Sequence, residues 1–554
     1  MNGKIIVNLT RNWHPGIPHV RGAMFDGTKK LSPDESQSAI RVLNDREAVT
    51  NFLKKSNGFF SVVNVEGNNG WIAVDRIRSL PLFYGQHNGK LFISDDARWV
   101  REHVHDNEMD PIAREEFLAC GYVTGSDTLF PNVKQVQAGE AVFFEVGNNE
   151  EISIQPQRYF QYYPSDFLDE PKETLFRRFE TTLGRVFQRL IDYAEGRTLV
   201  VPLSGGYDSR LIAVMLKRLG YDKFLAFSYG KPGNTEAQIS KSVAEKLNIN
   251  WVFIPYTNEL WHDWYLSPEM KAYFEYADGL ASLPHIQDWP AVLELKAQEL
   301  IPENSVFVPG HTPVLAIQIN KIESIWGRRK SPNCFFEMLR QAHYNLVPSG
   351  YDLLKARNSW YLHKFPMNTK EEVLGVSDLW AWTERQSKFI GNSVRSYEFF
   401  GYDWWMPFWD VEFTEVYEKV PYKHRLDKKL YKEYVDQLFT NIAEKPFEKP
   451  QGLSLQHFQI NTEKAIMKII KPVAKRILPD MAKKYLRKKA NLYGFKKHPL
   501  QWYGIHNDKY IRELIKNGAI NINSIIVLDY LDYLRNYEES TEFTALKIPG
   551  LESS

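Results

Sequence analysis

Between residues 198 and 256 the chain alternates short apolar runs with segments of helical period, and this alternation restricts its fold more than any other feature. Residues 198–203 (TLVVPL), 223–229 (KFLAFSY) and 251–256 (WVFIPY) read as strands. Residues 209–219 carry Leu211, Ile212, Met215, Leu216 and Leu219 on one helical stripe and stop at Gly220. A second helical segment, capped by Thr235, carries Ile239, Val243, Ala244 and Leu247, and a helical period over 173–195 precedes the first strand. Strand–helix repeats at this spacing need right-handed crossovers between parallel strands, so an open α/β sheet is expected.

In such a sheet ligands collect at the carboxyl ends of strands, where the chain turns into a helix. The sequence SGGYDS, residues 204–209, occupies that place after the first strand. Gly205 and Gly206 let the backbone approach a bulky anion and take up dihedrals that other residues avoid, and the helix start supplies free N–H groups and partial positive charge. Ser204 and Ser209 add hydroxyls. Asp208 is the unusual member, because a carboxylate beside a phosphate is repelled unless a cation lies between them, and Mg²⁺ meets that need. No Lys-Ser/Thr pair follows a four-residue gap, so a γ-phosphate P-loop is not indicated and pyrophosphate is the expected guest.

The first 165 residues read differently. GFFSVVNV, GWIAVDRI, PLFYGQ, KLFISDD and EAVFFEV are short strand-like runs bounded by Gly, Asn or Asp, which predicts an antiparallel, sheet-rich unit ahead of the α/β one. A length of 554 residues calls for two or three domains, with boundaries expected at 1–165, 170–445 and 446–554. Formal charge is +1, which argues against general nucleic-acid binding. Cys120 and Cys334 are the two cysteines, far apart in sequence, so a disulfide framework and a cysteine-rich metal site are excluded and a reducing cytoplasm is expected. No apolar run suits a signal peptide or a membrane span, so any membrane contact is expected to be peripheral to the inner face.

SGGYDS resembles the SGGxDS pyrophosphate loop of the N-type ATP pyrophosphatases, and its surroundings resemble asparagine synthase in particular. AFSYGKPGNTEAQISKSVAEKLNI (226–249), with Glu236 ahead of a Val-Ala pair, is similar to that family's second strand and helix. MPFWDVEFTEVYEKVPYKHRLDKKLYKEY (406–434) resembles its R-x-P-F-L-D segment and later lysine element. In the first unit AVDRIRSLPLFY, FISDD and GYVTGSDTLFPNVKQVQAGE keep the order of a class II glutamine amidotransferase domain. The likeness covers about residues 1–440 and is nearest to homologues of bacterial surface-polysaccharide gene clusters. It implies an Ntn-type αββα sandwich, then a Rossmann-like parallel α/β synthase domain, with a helical, basic C-terminal extension. It also implies ATP and Mg²⁺, with Leu203, Ser204, Gly205, Gly206, Asp208, Ser209, Ser228, Gly310 and His311 at the nucleotide, Asp208 on the metal, and Lys428 and Asp403 as catalytic groups.

The chain departs from that family in three places. It starts Met1-Asn2-Gly3, where a working glutaminase has an N-terminal cysteine, so no glutamine hydrolysis is expected and free ammonia or a larger amine is the implied nucleophile. In Gly310-His311-Thr312-Pro313-Val314, Pro313 and Val314 stand where the pattern Gly-His-x-Gly-Asp of the polysaccharide-cluster homologues has Gly and Asp, which removes one metal ligand at Val314. His311 stays open between a phosphate donor and a strand-end histidine bonded to backbone. In YDWWMPFWD, Asp403 replaces the usual Glu and Trp405 the usual Arg; Trp404, Trp405, Phe408 and Trp409 read as core in preference to a substrate platform. Lys429 is a one-residue alternative to Lys428.

The reaction implied is an ATP-dependent amide ligation: a carboxylate displaces pyrophosphate from ATP, and ammonia or an amine takes the acyl group with release of AMP. A polysaccharide substituent is the substrate class implied. Two alternatives stay open, a weakened nucleotide-binding scaffold that partners another biosynthetic enzyme and a peptide macrolactam synthetase. A homodimer also stays open. The basic stretch 464–497, with Ile466, Ile469, Ile470, Val473, Ile477 and Leu478 on an apolar side, reads as a solvated helix face before a contact with anionic membrane or a lipid-linked substrate.

Overall fold

The computed structural model describes residues 4–314, 317–328, 332–347, 350–447, 492–516 and 521–539. Its first part is built on two sheets. A six-stranded antiparallel sheet runs in the order Ile152–Arg158, Glu140–Val146, Asn69–Val74, Asn57–Glu66, His19–Asp26, Lys29–Lys30. A four-stranded sheet pairs Ile5–Asn8, Lys90–Ser94, Phe83–His87 and Lys134–Gln135 in that order, with the first pair parallel.

Side-chain alternation explains the layering. Along the central strands Phe60, Val62, Trp71, Ala73, Ala141 and Phe143 face one way, and pack under Ile40, Val49 and Leu53 of the helices Pro33–Arg41 and Arg46–Lys55. Val63, Ile72, Val74, Val142 and Phe144 face the other way, onto Tyr84, Leu91, Ile93 and Val136 of the smaller sheet. The helix Ala97–His103 covers the far side of that sheet through Val100, beside Phe83 and Phe92. The result is the expected αββα sandwich.

The long helix Lys172–Ala194 then leads into a parallel five-stranded sheet in the order Asn250–Pro255, Phe224–Gly230, Leu199–Pro202, Val306–Phe307, Asp403–Trp404. The first strand thus lies between the second and the fourth. The order reverses there, and the crevice outside the carboxyl ends of Leu199–Pro202 and Val306–Phe307 is a switch point of the kind that holds ligands. The α/β class is therefore as expected, with two local corrections. The helix after the first strand begins at Tyr207. The helix Thr235–Lys246 is capped by Asn234, whose Oδ1 accepts from the Ala237 N–H at 2.9 Å, so Thr235 is its first residue and not its cap.

A buried ion pair fastens the two parts. Arg189, on the long helix, donates from Nε and Nη2 to the two oxygens of Asp410 at 2.7 and 2.8 Å, and Asn57 Nδ2 of the antiparallel sheet donates to Asp410 Oδ2 at 3.1 Å. Trp404, Trp405, Phe408 and Trp409 are buried, and Trp405 sits against Phe59, with ring centroids 4.6 Å apart, and Tyr193, at 4.5 Å.

The basic stretch 464–497 lies outside the described residues up to 491. The C-terminal segment beyond it packs inward: Trp502, Ile505, Ile511, Leu514, Ile525 and Leu534 join the large core. The Tyr530 hydroxyl donates to Asp278 Oδ2 at 2.7 Å, and the Trp261 indole donates to the Leu500 carbonyl. Among the described residues no helix is long and apolar enough to cross a membrane.

Candidate active site

The turn SGGYDS is held by its own hydroxyls. The Ser204 N–H donates to Ser209 Oγ at 3.0 Å, the two serine hydroxyls meet at 3.1 Å, and the Gly206 N–H donates to Ser204 Oγ at 3.1 Å. Gly206 precedes the helix Tyr207–Arg218 with no side-chain cap, which leaves the N–H groups of the first helical turn without intrahelical acceptors.

The glycines serve closeness and not unusual dihedrals. Gly206 has φ −79°, and neither Gly205 nor Gly206 is among the residues with positive φ. A Cβ on Gly205 would stand 3.3 Å from Ile239 Cδ1, and one on Gly206 3.1 Å from Ser204 Oγ. Gly310, at the end of the neighbouring strand, is tighter: a Cβ there would lie 3.0 Å from the Ser209 nitrogen and 3.4 Å from Asp208 Cβ. Gly310 therefore brings the two strand ends together across the switch point.

Lys428 reaches this turn and Lys429 does not. Lys428 Nζ stands 3.4 Å from Asp208 Oδ2, whereas Lys429 is exposed and opens the helix Lys429–Ala443. Two consecutive left-handed residues, Asp427 (φ 50°) and Lys428 (φ 56°), produce that reach, and Asn320 Nδ2 pins the bend by donating to Asp427 Oδ1 at 2.8 Å. Non-glycine residues in this conformation are strained, and such strain collects at functional sites.

Asp208 is poorly served by its surroundings. Its Oδ1 is buried without a close hydrogen bond, and burial, only partly offset by Lys428 and Tyr431, raises its carboxyl above the ordinary carboxylate range. Tyr431, on the helix that follows Lys428, stands beside it, and burial together with the Asp208 charge pushes that phenol well up.

The remaining predicted residues fall into three groups. Ser228 and Leu203 line a hollow of about 60 Å³ beside Ser204, which Glu236 and Gln287 also face. The Ser228 hydroxyl is committed there, bonded to the Leu203 carbonyl and to Ser240 Oγ at 2.7 Å. His311 is partly buried beyond Gly310; its Nε2 meets Ser393 Oγ at 3.3 Å and its Nδ1 is buried with no partner, so its contact is a hydroxyl and not the backbone. Burial pushes the ring down to about 4, and it is neutral at physiological pH.

Asp403 is the exception. It pairs in register with Val306, the first residue of its neighbour strand, so it lies at the amino end of the sheet, opposite the turn. Its carboxylate is half exposed and bound to Arg197. The structure does not bring Asp403 to the site; a sheet strand only two residues long places it too early. Val314, where a metal-binding Asp was expected, is fully buried in the core.

Sequence reasoning missed a hydrogen-bonded group behind the hollow. Tyr229 donates to Asp288 Oδ1 at 2.5 Å, Tyr397 to Asp288 Oδ2 at 2.6 Å, and Gln287 Nε2 to the Tyr229 oxygen at 2.8 Å. Asp288 precedes Trp289-Pro290 in what reads as an ordinary helix start, and only Tyr229, at the end of a strand, carried a signal.

Comparison with known proteins bears on the first part of the chain. The family described as the glutamine amidotransferase domain matches residues 40–160. These residues form an amidotransferase-like domain. No curated protein matches the chain in sequence. Among solved structures, the glutamine phosphoribosylpyrophosphate amidotransferase from B. subtilis, in complex with ADP and GMP, matches at 10% identity over 51% of this chain, with a TM-score of 0.17. The match spans 56% of that enzyme's length, and at this TM-score it carries no structural argument. The domain match points to amide or nitrogen transfer.

Proposed function

We propose that this protein is an ATP-dependent amide-forming ligase, in which a carboxylate attacks the α-phosphorus of ATP, pyrophosphate departs, and ammonia or an amine displaces AMP from the acyl group. The observation that carries the reading is the meeting of the turn, Asp208 and Lys428 at the switch point, opposite Gly310. Free N–H groups and the Lys428 ammonium supply positive charge where the leaving pyrophosphate gains negative charge.

The donor set suits a divalent cation. A buried carboxylate oxygen of Asp208 lacks a close hydrogen bond, and Mg²⁺ is commonly held by one or two carboxylates together with substrate phosphates. Among the described residues there is no cluster of three His, Cys, Asp or Glu, and in this proposal Asp208 would hold the ion together with substrate phosphates. Bound there, the cation would neutralise phosphate oxygens. Ser204 and Ser209 hold the turn, Gly310 keeps the neighbouring strand close, and His311, next in sequence to Gly310, is neutral.

Glutaminase chemistry is not part of the reading. The single Cys120 S–H lies within reach of the Glu116 and Tyr122 carbonyls, and burial raises the thiol well above its ordinary value; burial pushes Cys334 up to about 11. Neither is a thiolate near neutral pH, which a cysteine nucleophile requires. Ammonia or an external amine is therefore the nitrogen source, and a carboxylated substituent of a surface polysaccharide is the proposed acyl donor. Isotope exchange between pyrophosphate and ATP, driven by a panel of sugar acids and amino acids, tests this directly.

Val314 favours a second reading, a scaffold that holds nucleotide without turnover, since the second acidic ligand is absent. Calorimetry with Mg-ATP separates the two: tight binding with no exchange identifies the scaffold.

A further inference from the structure

A different cavity lies between the antiparallel sheets and the amino end of the parallel one, away from the SGGYDS turn. A recess of about 20 Å³ adjoins a cleft of about 350 Å³, and Arg11, Arg21 and Tyr276 line both. Arg78 and Arg395 also line the recess, together with the acidic Asp95, Asp96, Glu275 and Asp278. Phe59, Tyr193, Trp404 and Trp405 give the cleft an aromatic side.

Arg78 is the anomaly. It is 5% exposed, and among the described residues its guanidinium makes no hydrogen bond or ion pair; it lies 5.6 Å from the Phe83 ring centroid, and its Nε is buried without a hydrogen bond. Its backbone is left-handed, φ 56°, at the end of a turn fastened by Asp75, which accepts from the N–H groups of Phe60, Ile77 and Ser79. A buried charge without a counter-ion is costly, and a strained residue that displays one implies an absent partner. Burial and the neighbouring Arg395 charge push the guanidinium down to about 9, against the opposing pull of the Asp75 and Glu384 charges.

The acidic groups nearby have other partners: Asp75 is bonded to backbone N–H groups and Ser79, Glu384 pairs with Lys388, and Glu275 of the recess wall accepts from the Tyr533 hydroxyl. Glu398 is shared by Arg21 at 3.3 Å and Arg395 at 2.7 Å. Asp95 accepts from the Thr10 and Arg11 N–H groups and the Trp13 indole, Asp96 caps the helix Ala97–His103, and Asp278 pairs with Arg98. Arg11 lies over the Tyr276 ring at 3.5 Å and donates from Nη2 to the Tyr276 carbonyl, which leaves Nη1 buried and unbonded.

We propose that this cavity is a second ligand site, for a small carboxylate whose head enters the recess against Arg78 and Arg11 while an apolar or aromatic body lies along Tyr276 and Trp404. The recess holds little more than one water-sized group, which suits a planar carboxylate, and guanidinium forks match carboxylates in two parallel hydrogen bonds. The proposal stands apart from the ligase reading, because its residues do not touch the SGGYDS turn.

Thermal unfolding and calorimetry of the full chain with phenylacetate, acetate and inorganic phosphate, at constant ionic strength set with chloride, test it. Phenylacetate is expected to raise the melting temperature and to bind more tightly than acetate. Arg78→Gly, which removes the left-handed strain and the unpaired charge together, is expected to melt no lower than the parent and to bind phenylacetate at least about tenfold more weakly. Arg78→Gln, which keeps the side-chain length, is expected to show the same loss. An undiminished phenylacetate shift in either variant, the absence of a shift in the parent, or a response to phosphate alone would each overturn the assignment.

Discussion

Lys428 Nζ stands 3.4 Å from Asp208 Oδ2, and the two residues, 220 positions apart in sequence, share one end of a parallel sheet. The contact is loose for an ion pair. That looseness, together with an Oδ1 that lacks a close hydrogen bond, suits a pair that opens to admit phosphate oxygens and a cation. Replacing Lys428 by Ala is expected to lower pyrophosphate exchange by about 100-fold or more, with a smaller loss of nucleotide affinity, since its charge matters most where negative charge develops. Equal losses in both would make Lys428 a binding residue only.

Asp208→Asn is expected to abolish exchange and yet raise the melting temperature at pH 7. Burial raises the carboxyl above its unfolded value, so ionised Asp208 opposes folding once pH exceeds that unfolded value. A melting temperature below the parent would show that the carboxylate holds the turn together instead.

Gly310→Ala places a methyl 3.0 Å from the Ser209 nitrogen, whereas Gly205→Ala meets a side chain, Ile239, whose Cδ1, Cγ2 and Cβ stand at 3.3, 3.4 and 3.5 Å. The first is expected to widen the switch point and weaken Mg-ATP binding by about tenfold, the second to leave it within about threefold. Calorimetry on the two variants checks the order.

His311 gives the fold a pH dependence with a defined sign. The folded ring titrates at about 4 against 6.5 unfolded, so between those values the unfolded chain binds the extra proton, and stability is lost as pH falls through that window. The loss reaches about 3 kcal/mol for this one ring. Partly buried His285 and buried His343 act in the same direction. His311→Gln is expected to unfold less readily than the parent at pH 4.5, relative to pH 7.5, in urea titrations. An unchanged difference would place the ring in contact with water.

Much of the parallel sheet was legible, because its strands are unbroken apolar runs and its helices keep a 3.6-residue period. The strand His19–Asp26 was not. Arg21 and Gly22 interrupt its pattern, yet Gly22 is required there: at φ 89°, a Cβ would lie 2.1 Å from the Phe59 carbonyl oxygen of the paired strand. Within the site, the turn is local and could be read from six letters. Lys428 could be placed only by likeness, since its approach depends on the left-handed pair Asp427–Lys428, for which neither residue type is a signal. Asp403 shows the converse error: a carboxylate on the right strand at the wrong end, where Arg197 holds it.

Nucleotide chemistry at the SGGYDS turn is the central claim. Exchange of labelled pyrophosphate into ATP, measured with Mg²⁺ against sugar acids and amino acids, is the most direct measurement. The expected result is exchange that needs one carboxylate class, vanishes in Asp208→Asn and falls at least about 100-fold in Lys428→Ala. Exchange equal in those variants and the parent, or no exchange with any carboxylate in a protein that binds Mg-ATP, would contradict it.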